Sequence, residues 1–106
     1  MVPLWGIYYS LYLKKKTKQT NMSAFKTILD VRTPQEFQGG NVVGSINIPL
    51  QEIVARLDEI KKLPQPILCC CASGGRSGQA SAYLKSLGID CENGGGWLDV
   101  NYLLNK

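Results

Sequence analysis

The sequence contains no histidine, and this absence excludes several kinds of catalytic and metal site. Cysteine proteases with a histidine base, phosphatases assisted by a histidine and zinc sites with imidazole ligands all need the missing side chain. Proton transfer by a group that titrates near neutral pH is therefore limited. A cysteine nucleophile in this chain would have to be ionised by its surroundings rather than by a histidine base.

The chain also lacks an apolar run long enough to cross a membrane. The apolar and aromatic stretch Val2–Leu13 has twelve residues, whereas a spanning helix needs about 20. Lysines follow this stretch, whereas a secretory signal carries its positive charge in front. We therefore expect residues 1–26 to be a partly ordered extension without membrane contact. A membrane-surface role is the alternative, because aromatic residues followed by lysines suit a lipid interface.

Acidic residues are absent from residues 1–26, and this explains the formal net charge of +4. Five lysines lie in that extension, whereas residues 27–106 carry seven basic and eight acidic side chains, a net charge of −1. The basic character thus belongs to the extension, and we expect no nucleic-acid partner. A length of 106 residues with 44% apolar content allows one domain with a modest core, which we assign to residues 27–106.

The most informative segment is a cysteine that ends an apolar run and precedes a glycine-rich turn. Ile67–Cys71 is predicted to be a strand, and a helix is predicted to begin near Ser77. Successive N–H groups in such a turn, together with a helix N-terminus, form a site for an anion. A free cysteine has a pKa of about 8.5, which a helix N-terminus or a nearby arginine lowers to roughly 3.5 to 7.5. We therefore expect Cys71 to be largely a thiolate at neutral pH.

The rest of the chain alternates strand and helix signals. We predict three further strands, at Thr27–Val31, Ser45–Ile48 and Ile89–Glu92. We predict further helices after the capping box of Thr33 and Glu36, over Leu50–Lys62 and over Trp97–Leu104. This alternation is typical of a parallel sheet with helices on both faces. Ligands of such sheets bind beyond the carboxyl ends of the strands, where Cys71 lies.

Four motifs in order resemble those of the rhodanese-like sulfurtransferases, and they cover about residues 27–104. They are Ile28–Phe37, Gly44–Pro49, the loop Cys71–Ser77 and Gly94–Asp99. The loop matches the family's CxxGxR(S/T) pattern. The resemblance implies one α/β rhodanese-like domain with a central parallel sheet of four to five strands and helices on both faces. Where many relatives carry a histidine before the glycine of the second signature, this chain has Asn41.

The resemblance implies a thiosulfate:cyanide type of sulfurtransferase with Cys71 as the catalytic residue. Cys71 would take sulfur from a small anionic donor such as thiosulfate and pass it, as a persulfide, to a thiol or cyanide, or to a protein in a sulfur relay. Asp30 and Arg32 would support the site. Arg76 would contact the donor's oxygens or brace the loop, and Ser77 would cap the helix and donate to the sulfur. The loop that binds the anion would consist of Ala72, Ser73, Gly74, Gly75, Arg76 and Ser77.

No metal site and no cofactor is expected, since three adjacent cysteines lack the CxxC spacing of zinc sites. We expect Cys69 and Cys91 to be buried as small apolar side chains. We expect the protein to be a monomer. We expect it to lie in the cytoplasm, because thiols stay reduced there. The periplasm and a membrane surface are the alternative locations.

Two other functions compete with sulfur transfer. Counted from Cys70, the sequence also fits the CxxxxxR(S/T) loop of cysteine phosphatases with a rhodanese-like fold. However, Gly74 matches the expected glycine only when counting starts at Cys71. The second alternative is a non-catalytic rhodanese module used for binding, although inactive relatives typically lack the cysteine that is present here.

Overall fold

A computed structural model of the protein describes residues 24–106, and the predictions for residues 1–23 of the extension lie outside these described residues. The described part forms a parallel sheet of four strands in the order β2-β1-β3-β4, which confirms the predicted α/β fold. The strands are β1 Thr27–Asp30, β2 Ile46–Asn47, β3 Ile67–Cys71 and β4 Cys91–Gly96. The helices are α1 Pro34–Gln38, α2 Leu57–Lys61, α3 Gly75–Ser86 and α4 Trp97–Leu104. Within residues 24–106, no helix is long and apolar enough to cross a bilayer.

The interior strand β3 is buried along its whole length, and it divides the core into two clusters. Alternate side chains of a strand point to opposite faces of the sheet. Ile67, Cys69 and Cys71 belong to the larger cluster, which also contains buried residues of α2 and α3. Leu68 and Cys70 belong to the smaller cluster, together with Val100 of α4. Helices therefore cover both faces of the sheet, as predicted.

Helix α1 begins with the predicted capping box. The Oγ1 of Thr33 accepts a hydrogen bond from the N–H of Glu36 at 3.2 Å, and Glu36 Oε1 accepts one from the N–H of Thr33 at 3.1 Å. Pro34 occupies the first turn, where its missing N–H costs nothing. The capping box fixes the carboxylate of Glu36 at the start of α1, close to the carboxyl end of β1.

The prediction of a single helix over Leu50–Lys62 is wrong, because this segment forms a 3₁₀ turn, Leu50–Glu52, and the separate short helix α2. The backbone of Arg56, with φ −107° and ψ 23°, leaves the helical region and interrupts the segment. The break lets Ile53 and Ile60 enter the core from separate pieces, while Val54 stays 69% exposed. The apolar spacing thus identifies the buried Ile53 and Ile60, but it does not reveal that Val54 is exposed or distinguish one helix from two short turns.

The sequence predicts the last strand at Ile89–Glu92, whereas β4 begins at Cys91 and continues through all three glycines to Gly96. A side chain at Gly94 would place its Cβ 2.8 Å from Leu68 Cγ and 3.0 Å from Val100 Cγ2. The close approach of β4 to its neighbours thus requires glycine in the strand. The run of three glycines predicts a turn at this position, because glycine is more often a turn residue than a strand residue.

Candidate active site

Cys71 lies at the carboxyl end of β3, and its sulfur faces the loop that leads into α3. The side chain is only 1% exposed, so a reacting molecule must reach it with its outermost atom. The N–H of Gly74 donates to Cys71 Sγ at 2.9 Å. Gly74 has φ +107°, a conformation in which a side chain would be strained, and α3 begins directly after it.

Gly74, not Ser77, is the N-cap of α3, so the predicted capping role of Ser77 is wrong. The helix begins two residues earlier than expected, at Gly75, and Ser77 lies within its first turn. The completely buried hydroxyl of Ser77 instead lies 3.3 Å from Cys71 Sγ and 2.7 Å from Asn93 Oδ1. Because a hydroxyl has one proton, these two acceptors share it.

Asn93 on β4 connects the loop to the neighbouring strand. Its Nδ2 donates to the carbonyl of Gly74 at 3.1 Å, and its Oδ1 accepts from the N–H of Gly95 at 3.0 Å in addition to the Ser77 hydroxyl. These bonds hold the loop in the conformation that places the Gly74 N–H at the sulfur. The remaining loop residues Ala72, Ser73 and Gly75 are exposed at the rim.

The surroundings of Cys71 have opposing effects on its pKa. Burial of the thiol raises the pKa, but hydrogen bonds from the Ser77 hydroxyl and from the N–H groups of Ser77, Gly74 and Ser73 outweigh it. Together they lower the pKa of Cys71 to about 7. The direction agrees with the sequence expectation, and much of the sulfur is a thiolate at neutral pH without any histidine.

Replacing Ser77 by alanine should raise the pKa of Cys71 by removing a donor to the thiolate. A hydrogen bond to a charged group contributes about 1.5–3 kcal/mol, and about 1.4 kcal/mol corresponds to a tenfold change in ionisation. Since Asn93 shares the proton, we expect the midpoint of Cys71 alkylation to move upward by about one pH unit. The measurement is the rate of modification by iodoacetamide as a function of pH.

Ser81→Ala is the matched control, because Ser81 is also a buried serine of α3 but donates to the carbonyl of Gly78. Its alkylation profile should coincide with that of the unmodified protein. An unchanged midpoint in Ser77→Ala would show that the hydroxyl gives its proton to Asn93 alone.

Arg76 forms a two-point ion pair with Glu36 of α1. Its Nη1 donates to Oε1 at 2.6 Å and its Nη2 donates to Oε2 at 3.0 Å. The hydrogen bonds from Arg76 are the largest cause that lowers the pKa of Glu36, to about 2. Of the two roles expected for Arg76, the geometry is that of bracing, since its donors face Glu36.

Asp30 and Arg32 form a second, buried ion pair below the site. Arg32 Nη2 donates to Asp30 Oδ2 at 2.7 Å and to the carbonyl of Gly40 at 2.7 Å. The guanidinium carbon of Arg32 lies over the ring of Trp97, 4.7 Å from the ring centroid. The pair therefore fixes the segment that carries Glu36, which places these residues in a supporting position rather than at the sulfur.

The other cysteines occupy the core. Cys70 points to the face of the sheet opposite Cys71, is fully buried and has its pKa raised by burial to about 12. Cys69 and Cys91 are also buried, as expected, and the hydrogen bond between them, together with burial, raises the pKa of Cys69. The geometry thus provides one thiolate at the loop, and it does not support the phosphatase register that starts at Cys70.

Two residues of the site were missed from the sequence. The sequence predicts Glu36 as part of a capping box but not as the partner of Arg76, from which it is 40 positions distant. The only sequence signal for Asn93 is that this polar residue directly precedes the glycine run, which predicts a turn. Both depend on contacts between distant parts of the chain.

Comparisons with known proteins agree with this geometry. A family model described as a rhodanese-like domain matches residues 11–100, which is most of the chain. The thiosulfate sulfurtransferase PspE of Escherichia coli (strain K12) is 36% identical over 74 residues, which cover 68% of this chain and 71% of PspE. The uncharacterized protein YqhL of Bacillus subtilis (strain 168) is 32% identical over 84 residues, and the match spans 77% of this chain but only 66% of YqhL.

The crystal structure of a rhodanese-related protein from Thermoplasma volcanium superposes with a TM-score of 0.66 at 33% identity, over 77% of this chain and 80% of that protein. Fold, loop and sequence similarity therefore lead to the same assignment. The chain belongs to the rhodanese-like domain family, whose members similar to it include a sulfurtransferase.

Proposed function

We propose that this protein is a sulfurtransferase in which Cys71 carries the transferred sulfur as a persulfide. The observation that supports it most is the thiolate of Cys71 in a loop that offers several N–H donors and no side-chain base. A sulfur nucleophile that is already ionised needs no proton acceptor. Similarity to a protein named thiosulfate sulfurtransferase points in the same direction.

In the first half-reaction, the Cys71 thiolate attacks the outer sulfur of a donor such as thiosulfate. A bond forms between Sγ and that sulfur, the sulfur–sulfur bond of thiosulfate breaks, and sulfite leaves with the electron pair. The Cys71 persulfide carries its negative charge on the outer sulfur, and we expect the N–H groups of Ser73, Gly74 and Ser77, which donate to Sγ in the thiolate, to stabilise that charge as well. In the second half, a thiol or cyanide attacks the outer sulfur and regenerates the Cys71 thiolate.

The buried position of Cys71 favours transfer of a single terminal atom. The exposed rim formed by Ala72, Ser73 and Gly75 leaves the body of the donor or acceptor in solvent. Such a site would also accept a thiol on the surface of another protein. A relay between proteins is therefore compatible with the proposed activity, alongside small thiols and cyanide.

The experiment that tests the proposal is mass spectrometry of the intact protein and of its Cys71 peptide after exposure to excess thiosulfate or an alkyl persulfide. We expect one added sulfur atom on Cys71, removable by cyanide with formation of thiocyanate. Added sulfur on another cysteine, or none with either donor, would contradict the proposal.

A further inference from the structure

We propose that Glu36 determines which donors use the site, because it holds the cation of Arg76 away from them and so favours alkyl persulfides over the thiosulfate dianion. The inference rests on the proposed sulfurtransferase function and adds the substrate class. It assigns Glu36 a role in specificity, although this residue contacts Arg76 rather than the sulfur.

The first support is the pairing of charges near Cys71. Arg76 is held at two points by Glu36, and Arg32 is held by Asp30 with both side chains buried. Each cation is thus matched by one carboxylate, and the Cys71 thiolate adds a further negative charge. A dianion that approaches this site meets no net positive charge from these residues, whereas an uncharged organic group has no such barrier.

The second support is that Arg76 lies within electrostatic reach of the sulfur. The pKa of Arg76 is raised mainly by the hydrogen bonds to Glu36, but the charge on Cys71 also raises it. The Arg76 side chain is 34% exposed, so it could meet a donor at the rim if it were released. The ion pair with Glu36 therefore withholds a cation from a place where an anionic donor would arrive.

The two donor classes differ in the group that leaves. With thiosulfate, sulfite leaves as a dianion and takes the electron pair of the broken sulfur–sulfur bond. With an alkyl persulfide, the thiolate attacks the outer sulfur, and the organic thiolate leaves with the electron pair and takes up the proton of the donor. A cation near the leaving oxygens should accelerate the first reaction, whereas it should have little effect on the second.

Glu36→Gln tests the proposal, because it removes the charge and retains the capping box. Glutamine keeps the oxygen that accepts from the Thr33 N–H, and the capping box accepts either residue. We expect kcat/KM for thiosulfate to rise about tenfold, mainly through KM, since a cation near the dianion is no longer neutralised. For an alkyl persulfide whose organic part is uncharged, we expect a change of less than about twofold.

Glu59→Gln is the matched control, because Glu59 is an exposed carboxylate paired with Arg56. It changes the net charge of the protein equally and should leave both donors unaffected. The double variant Glu36→Gln/Arg76→Gln, compared with Arg76→Gln alone, should show no gain with thiosulfate. This cycle attributes the gain to Arg76.

Several outcomes separate this inference from the proposed function. An unchanged ratio of the two kcat/KM values in a folded Glu36→Gln protein overturns the inference and leaves the function intact. A gain that persists without Arg76 also overturns it. If neither thiosulfate nor an alkyl persulfide adds sulfur to Cys71, the proposed function is overturned, and the inference is overturned with it. If thermal unfolding shows that Glu36→Gln is not folded, Glu36→Asp, which shortens the reach to Arg76, serves as the second variant with the same expected direction.

Discussion

Replacement of Cys71 by serine is expected to abolish sulfur transfer from both donor classes, lowering turnover at least about 1,000-fold, towards the uncatalysed background. A serine hydroxyl is not ionised at neutral pH and cannot hold the transferred sulfur as a persulfide. The donors of Gly74 and Ser77 would remain in place, but they would surround an oxygen that has nothing to transfer. The measurements are thiocyanate formation with cyanide as acceptor and mass spectrometry of the modified protein.

Cys70→Ala is the control that distinguishes the two registers of the loop. Cys70 points to the opposite face of the sheet, so its removal should reduce stability slightly and leave sulfur transfer largely unchanged. The rival register makes the reverse prediction, together with hydrolysis of a phosphotyrosine mimic by the unmodified protein. Sulfur transfer retained in Cys71→Ser would contradict the assignment of the nucleophile.

The position of Cys71 could be predicted from the sequence because every feature that defines it is local. An apolar strand, a glycine turn and a helix follow one another between Ile67 and Ser86. Strand direction then places the loop at the carboxyl edge of a parallel sheet. The same holds for the capping box of Thr33 and Glu36, which lies within four residues.

The partners of the site could not be predicted in the same way. The contact between Arg76 and Glu36 arises only when α1 and the loop meet at one edge of the sheet, and that of Ser77 with Asn93 only when β4 pairs with β3. Likewise, the space around Gly94 is set by Leu68 and Val100, which no local pattern reveals. Local sequence thus defines the nucleophile, whereas tertiary packing defines what tunes it.

Replacement of Asp30 by asparagine is expected to have the largest effect on stability, because it leaves the guanidinium of Arg32 buried without a counter-charge. Asp30 is fully buried and Arg32 is 3% exposed. Removal of one partner from a buried pair typically costs about 3–5 kcal/mol, a large share of the roughly 5–15 kcal/mol by which a domain is stable. We expect a marked fall in the urea concentration at the midpoint of unfolding, which circular dichroism measures.

The matched control is Glu92→Gln, which makes the same change of carboxylate to amide in the more exposed pair with Lys85. Such pairs contribute about 0–1 kcal/mol, since water screens both charges and replaces the lost contact. Equal destabilisation by the two variants would contradict the argument.

Because Arg32 also donates to the carbonyls of Glu36 and Gly40, a folded Asp30→Asn protein should place Glu36 less accurately at Arg76. The buried pair of Asp30 and Arg32 therefore stabilises the fold and also positions Glu36, the carboxylate that neutralises Arg76 near the sulfur donor.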